Sequence, residues 1–411
     1  MGQVLTKPVT EKSSESDLDA RLIYAVSSMQ GWRTTMEDKH SAVLSMDTIP
    51  TDLEPDELIN RNYLSFFGVY DGHGGSQSAE YCEANLPRVL KEQHEYQQGN
   101  YSQAMIDSYL SLDDELYVIY DPTAHHGCTA VTALISDDTV YVANAGDSRA
   151  ILSVNGSAKP LSFDHKPTHH GEYHRIINGG GFVERGRVNG KLALSRAIGD
   201  FEFKDQARVT SKPPQLFSVT ANPEILTRRL TPDDEFLVLA CDGIWDCATS
   251  QRVVGFIRRS IAEGQELDFI CENFMNYCLA DVNNMLGIGT DNMTIMIIGF
   301  LNGRTKKEWY ELIRTRVLSG DGPAATVEEV KPKFVEKEDT LIDENDRLNL
   351  VDEVKAQPTP ISLQQLLGID ASIKNENGIM VIHNKLGATL TQLDNPANET
   401  SPTSAMDGKN E

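Results

Sequence analysis

This sequence lacks a surplus of positive charge, a long apolar run and any cysteine framework. Its 37 lysines and arginines stand against 61 aspartates and glutamates, a formal net charge of −24. That balance argues against nucleic acid and anionic membrane surfaces as partners. No apolar stretch approaches the ~20 residues of a spanning helix, and no secretory leader is visible, so no transmembrane segment is expected. The six cysteines, at 82, 128, 241, 247, 271 and 278, show no zinc-type spacing. Each reads as a reduced, buried small hydrophobe, and the chain as intracellular: cytoplasmic, with nuclear access.

What the sequence does have is acids at the ends of apolar strands. Leu64–Tyr70 reads as a buried strand and runs straight into Asp71-Gly72-His73-Gly74-Gly75, before a helix over 76–91. The glycines let the backbone turn sharply and let a ligand approach it, and a carboxylate beside an exposed carbonyl suits a hard divalent cation. The pattern recurs. Thr139–Ala145 leads into Gly146-Asp147-Ser148-Arg149, and the continuous apolar run Glu235–Cys241 ends at Asp242-Gly243-Ile244-Trp245-Asp246. Asp291-Asn292 precedes the buried strand Met293–Phe300, and upstream Arg33 is followed by Glu37-Asp38. A single acid at a strand end is a turn residue or helix cap as readily as a ligand. Several such ends meeting in space would repel one another strongly unless a cation neutralised them. Spacing along the chain does not say whether they meet.

Taken together and in this order, these segments resemble the metal-dependent protein serine/threonine phosphatases of type 2C, most closely fungal members. Gly127-Cys128-Thr129-Ala130 and Leu194-Ser195-Arg196-Ala197-Ile198-Gly199-Asp200 also match, and the likeness covers about residues 20–316. The resemblance implies an α+β fold, a four-layer α-β-β-α sandwich of two antiparallel sheets flanked by helices. The residues point the same way. Asn155-Gly156 between two short runs is a hairpin signal. Helices are expected near 76–91, 102–119, 249–263, 266–280 and 305–318, the last opened by a Thr305/Glu308 capping box.

By the same resemblance the activity is hydrolysis of phosphoserine and phosphothreonine in proteins, without a phosphoenzyme, using two Mg²⁺ or Mn²⁺ ions and a weaker third. Asp71 bridges the two ions, Glu37 and the Gly72 carbonyl serve one, and Asp242 and Asp291 the other. Asp147 with Asp242 makes the third site, and Asp38 orders metal-held water. Arg33 grips the phosphate, for which its planar fork is suited; a surface ion pair with Glu37 is its bland alternative. His73 is the general acid for the leaving oxygen. Asp200 is assigned to water orientation outside the coordination shell. Residues 164–190 correspond to the flap beside the active site; the Thr168-His169-His170-Gly171-Glu172 stretch departs from the family pattern. The neighbouring pairs His125-His126 and His169-His170 lack ligand spacing. Competing readings are a scaffold of the same fold that has lost catalysis, and a phosphatase of small phosphoesters. Partners implied are phosphorylated proteins, stress or cell-cycle kinases among them, met by a monomer.

The ends differ from the middle. Met1-Gly2-Gln3-Val4-Leu5-Thr6 fits an N-myristoylation pattern, which would give weak membrane association, and residues 1–19 are set apart as an N-terminal segment. From Val317 the chain carries 8 basic and 17 acidic residues, 8 − 17 = −9, with few aromatics, so 317–411 is expected as a mostly disordered acidic tail with apolar islands at Ile361–Ile369 and Ile379–Leu390. The acidic stretch Asp47–Asn62 carries no assigned role.

Overall fold

The computed structural model describes residues 4–46, 64–120, 125–204, 211–282 and 287–323, and the strands Ser372–Glu376 and Ile379–His383. The myristoylation pattern's first residues, the acidic stretch 47–62 and the 361–369 island fall outside the described residues. The chain divides into two units, 1–334 and 335–411.

Two antiparallel sheets build the first unit. One has six strands in the order Val4–Leu18, Leu22–Arg33, Met293–Phe300, Asp234–Ala240, Arg149–Val154, Ser157–Pro160. The other has five: Glu224–Arg229, Thr139–Ala145, Ala130–Ile135, Ser65–Tyr70, Lys39–Val43. Alternation of side chains sorts each strand between two cores. Leu237 and Leu239 pack with Val26, Met296, Phe67, Val69 and Val131 between the sheets. Their neighbours Phe236, Val238 and Ala240 face helices Ser250–Ala262, Leu267–Cys278 and Lys306–Ser319. On the far side, Phe66, Tyr70 and Leu134 meet helices Gln77–Glu92 and Tyr101–Ile119. The result is the expected α-β-β-α sandwich. A strand buried on both faces has no polar side to show, which is why 234–240 reads as an unbroken apolar run.

Local signals act where they were read. Asn155 and Gly156 turn the hairpin with positive φ at both positions, and Thr305 with Glu308 forms the full capping box. Among the described residues no helix is long and apolar enough to cross a membrane. One difference concerns the N-terminus. Val4–Leu18, set apart in the sequence as a segment, pairs along Leu22–Arg33 as the sheet's outermost strand. Its exposed, Ser/Glu/Lys-rich composition hid it, because an edge strand needs no apolar face of its own. In the second unit Ser372–Glu376 pairs antiparallel with Ile379–His383, so the second apolar island begins as a strand.

Candidate metal centre and catalytic cleft

At one end of the sandwich the strand ends converge on a cleft of about 460 Å³. Arg33, Glu37, Asp71, Gly72, His73, Asp147, Asp242 and Asp291 all line it. Asp38 lies just behind, 3 % exposed, where Thr294 Oγ1 donates to its Oδ2 at 2.8 Å while Oδ1 is buried without a hydrogen-bond partner. Carboxylate oxygens of Asp38 and Asp71 and the Cys241 sulfur lie within 4.8 Å of one another. Burial, with Asp38 and Asp71 nearby, pushes the Cys241 thiol well up, so it stays protonated and the oxygens are the ligands on offer.

The acids feel each other. Burial raises Asp71 well above the usual carboxylate range, and Asp242, Asp38, Asp291 and Asp147 push it further. Asp242 is raised by burial and then by Asp147 and Asp291. Burial and the Asp291 charge bring Asp38 to about 6, against hydrogen bonds that hold it down. Two cations partly answer this charge. Arg33 pairs with Asp291, not with Glu37, and Lys166 pairs with Asp147. Asp71 and Asp242 have no ion-pair partner among the described residues. Clustered carboxylates with an orphaned buried oxygen are the donor set that a hard divalent ion fits.

Asn292 sets the spacing. Its Nδ2 donates to the carbonyls of Gln30 and Thr35 (2.8 and 2.9 Å), and its Oδ1 accepts from the Glu37 N–H (2.9 Å), tying the loop after the second strand to the Asp291 turn. Glu37 is then held by Thr35 Oγ1 (2.7 Å) and the Gly75 N–H (3.0 Å). Gly243 lets Asp242 reach the same place: a Cβ there would sit 2.0 Å from the Asn292 carbonyl oxygen.

His73 has a partner that the sequence reading did not pair with it. Asp200 Oδ2 lies 2.7 Å from His73 Nε2, so Asp200 orients the imidazole. Burial lowers the His73 pKa, but the Asp200 carboxylate, with Asp147 and Glu37 behind it, raises it, and the net shift is upward. Asp200 sits at φ +52°, a left-handed conformation unusual for a side-chain-bearing residue. Buried Asp113 holds the segment there: it accepts from the Gly199 N–H (2.8 Å) and from Lys204 Nζ (2.7 Å), which also donates to the Ala197 carbonyl (2.9 Å). Gly127 leaves room, since a Cβ would lie 2.4 Å from Asp200 Oδ2 and 2.8 Å from His73 Nε2. Nothing in local sequence links residues 73, 127 and 200.

The cleft's other wall includes Arg187, inside the expected flap, and Leu194, which opens the matching segment 194–200, with Leu192 and Ala193 between them, two residues no sequence signal marks. They follow the helix His170–Gly179, which is anchored by its buried Glu172. Glu172 accepts from Arg175 (2.7 Å), Arg196 (2.7 Å) and Ser195 Oγ (2.6 Å), and the two guanidiniums and these hydrogen bonds hold its carboxyl far below the usual range against the pull of burial.

Comparison with known proteins finds relatives across most of the chain. The family described as Protein phosphatase 2C matches residues 23–284. A relative named Protein phosphatase 2C homolog 2 from Hypocrea jecorina is 52 % identical over 331 residues, 80 % of this chain and 74 % of its own. A protein of the same name from Schizosaccharomyces pombe is 50 % identical over 330 residues, covering 79 % and 85 %. Among solved structures, a phosphatase from a pathogenic strain of Toxoplasma gondii shares the fold at TM-score 0.58 and 24 % identity, over 72 % of this chain and 97 % of that one.

Proposed function

Since this chain belongs to the protein phosphatase 2C family, we propose that it hydrolyses phosphoserine and phosphothreonine monoesters in proteins with divalent cations held by the acid cluster. The observation that carries the reading is the convergence of Asp71, Asp147, Asp242 and Asp291 in one cleft with too few cations beside them. Asp71, at the centre of the mutual repulsion, would be the acid shared between two cations; Glu37 and the Gly72 carbonyl would hold one of them and Asp242 with Asp291 the other, and Asp147 with Asp242 would offer a weaker third site. Bound Mg²⁺ or Mn²⁺ supplies charge neutralisation for the phosphate and acidifies water.

The chain's own groups supply the rest. Arg33 pairs with Asp291; with that carboxylate's charge taken up by a cation, its fork would be free to take two phosphate oxygens. His73 is held at Nε2 by Asp200, which leaves Nδ1 to deliver a proton to the serine or threonine alkoxide as it departs. Asp38, buried behind Asp71, has an unused oxygen with which to fix a water.

The test is turnover of a phosphopeptide after chelation and after separate return of Mg²⁺ and Mn²⁺, with an aryl phosphate in parallel. Activity should vanish and return with either ion. Full activity in the chelated protein would remove the metal reading, and turnover confined to the small ester would remove the protein substrate.

A further inference from the structure

The flap helix carries a second set of metal-type ligands. Neighbours in sequence such as His169 and His170 do not face each other; His169 Nδ1 instead bonds the Asp164 carbonyl at 3.0 Å. His170 and His174, one turn apart on the helix His170–Gly179, bring their Nε2 atoms to 3.2 Å, with ring centroids 4.4 Å apart. Both residues are exposed. Zinc–imidazole bonds of 2.0–2.1 Å put two nitrogens about 2.9 Å apart at a right angle and about 3.4 Å apart in a tetrahedron. The observed separation lies between these, so the two side chains already stand at a chelating distance. At 3.2 Å the two rings are within hydrogen-bond distance, where an N–H of one can donate to the nitrogen of the other.

We propose that His170 and His174 form a bidentate site for an imidazole-seeking ion of the Zn²⁺ class, distinct from the carboxylate centre. Ligand chemistry separates the two sites: the oxygen cluster suits Mg²⁺ and Mn²⁺, and paired imidazoles suit Zn²⁺ or Cu²⁺. The remaining coordination positions open to solvent, which makes this an exchangeable site and not a structural one. Its position gives it reach. On the same helix, Glu172 and Arg175 grip Ser195 and Arg196, which continue from the cleft-lining Ala193 and Leu194 toward Asp200. An ion joining positions 170 and 174 closes the helix's first turn and stiffens that wall.

Cu²⁺ is the probe, added to the intact Mg²⁺-saturated protein and read by electron paramagnetic resonance. Nitrogen superhyperfine coupling from two imidazoles is expected, a signal that an all-oxygen site does not give. His170→Gln and His174→Gln should each reduce it to one nitrogen or none, and weaken Zn²⁺ binding by roughly tenfold or more, with Mg²⁺-supported turnover unchanged. His169→Gln should leave the signal intact. Zn²⁺ should also slow amide exchange in residues 170–179 of the wild type and not of the two variants. A wild-type spectrum without paired nitrogens, or one that survives both substitutions, overturns the proposal.

Discussion

His73 and Asp200 are 127 positions apart and share one hydrogen bond, and the pH dependence of the enzyme should follow from it. A histidine whose folded pKa is raised stabilises the fold below its unfolded value, about 6.5, and that contribution is lost as pH rises through the folded pKa. The same shift keeps the general acid charged to higher pH. Asp200→Asn should therefore move the falling limb of kcat/KM on a phosphopeptide to lower pH, and an unmoved limb would separate Asp200 from catalysis. Gly127→Ala should imitate it without unfolding the chain, because the new methyl lands on the carboxylate and the backbone there is not left-handed. His73→Gln should cost about 10²–10⁴-fold on a phosphopeptide and far less on an aryl phosphate, whose leaving group needs no proton. The acid cluster carries the opposite sign. Carboxyls raised in the fold subtract stability as pH climbs through their unfolded value, near 3.9, until the folded one is passed, about 6 for Asp38. Chelated protein should thus melt at higher temperature at pH 5 than at pH 7. Asp242→Asn should raise the chelated melting temperature while abolishing most turnover and most of the stabilisation by Mg²⁺.

At the scale of elements, the helix His170–Gly179 depends on one carboxylate. Glu172→Gln would leave Arg175 and Arg196 buried without their counter-charge, a loss of about 3 kcal/mol by the usual cost of breaking a buried pair. Because the helix leads into the cleft wall, the variant should show a raised KM for phosphopeptide together with faster amide exchange over 170–196. A lowered melting temperature with unchanged KM would confine Glu172 to stability. The strand Val4–Leu18 is the contrasting case: largely exposed and polar, it covers the open edge of Leu22–Arg33, pairing as far as Arg33 at the end of that strand.

For the whole molecule, the division into units at residue 334 and the capped end of the helix Lys306–Ser319 make removal of the tail an informative experiment. Arg258 Nη1 donates to the Asp321 carbonyl at 2.8 Å, so the cut belongs after that contact. Protein ending at residue 334 should keep its melting temperature and its small-substrate turnover, with any deficit appearing on protein substrates. A large drop in melting temperature would show that residues 335–411 support the catalytic unit.

The sequence by itself determined the five major helices, the Asn-Gly hairpin and the acids at the strand ends, while the sandwich was implied by family resemblance. Each is written in local terms: periodicity, turn chemistry, caps, and an apolar run broken by an aspartate. The tertiary structure decided who meets whom. It placed Asp200 on His73, Arg33 on Asp291, Lys166 on Asp147 and His170 on His174, and it made an edge strand of residues 4–18. Three of these side-chain pairings join residues brought together by strand crossings and loop returns, which no window along the chain contains. The fourth spans a single helical turn, yet only the structure showed the two rings turned toward each other, because spacing sets the face of a helix and not the rotamers upon it.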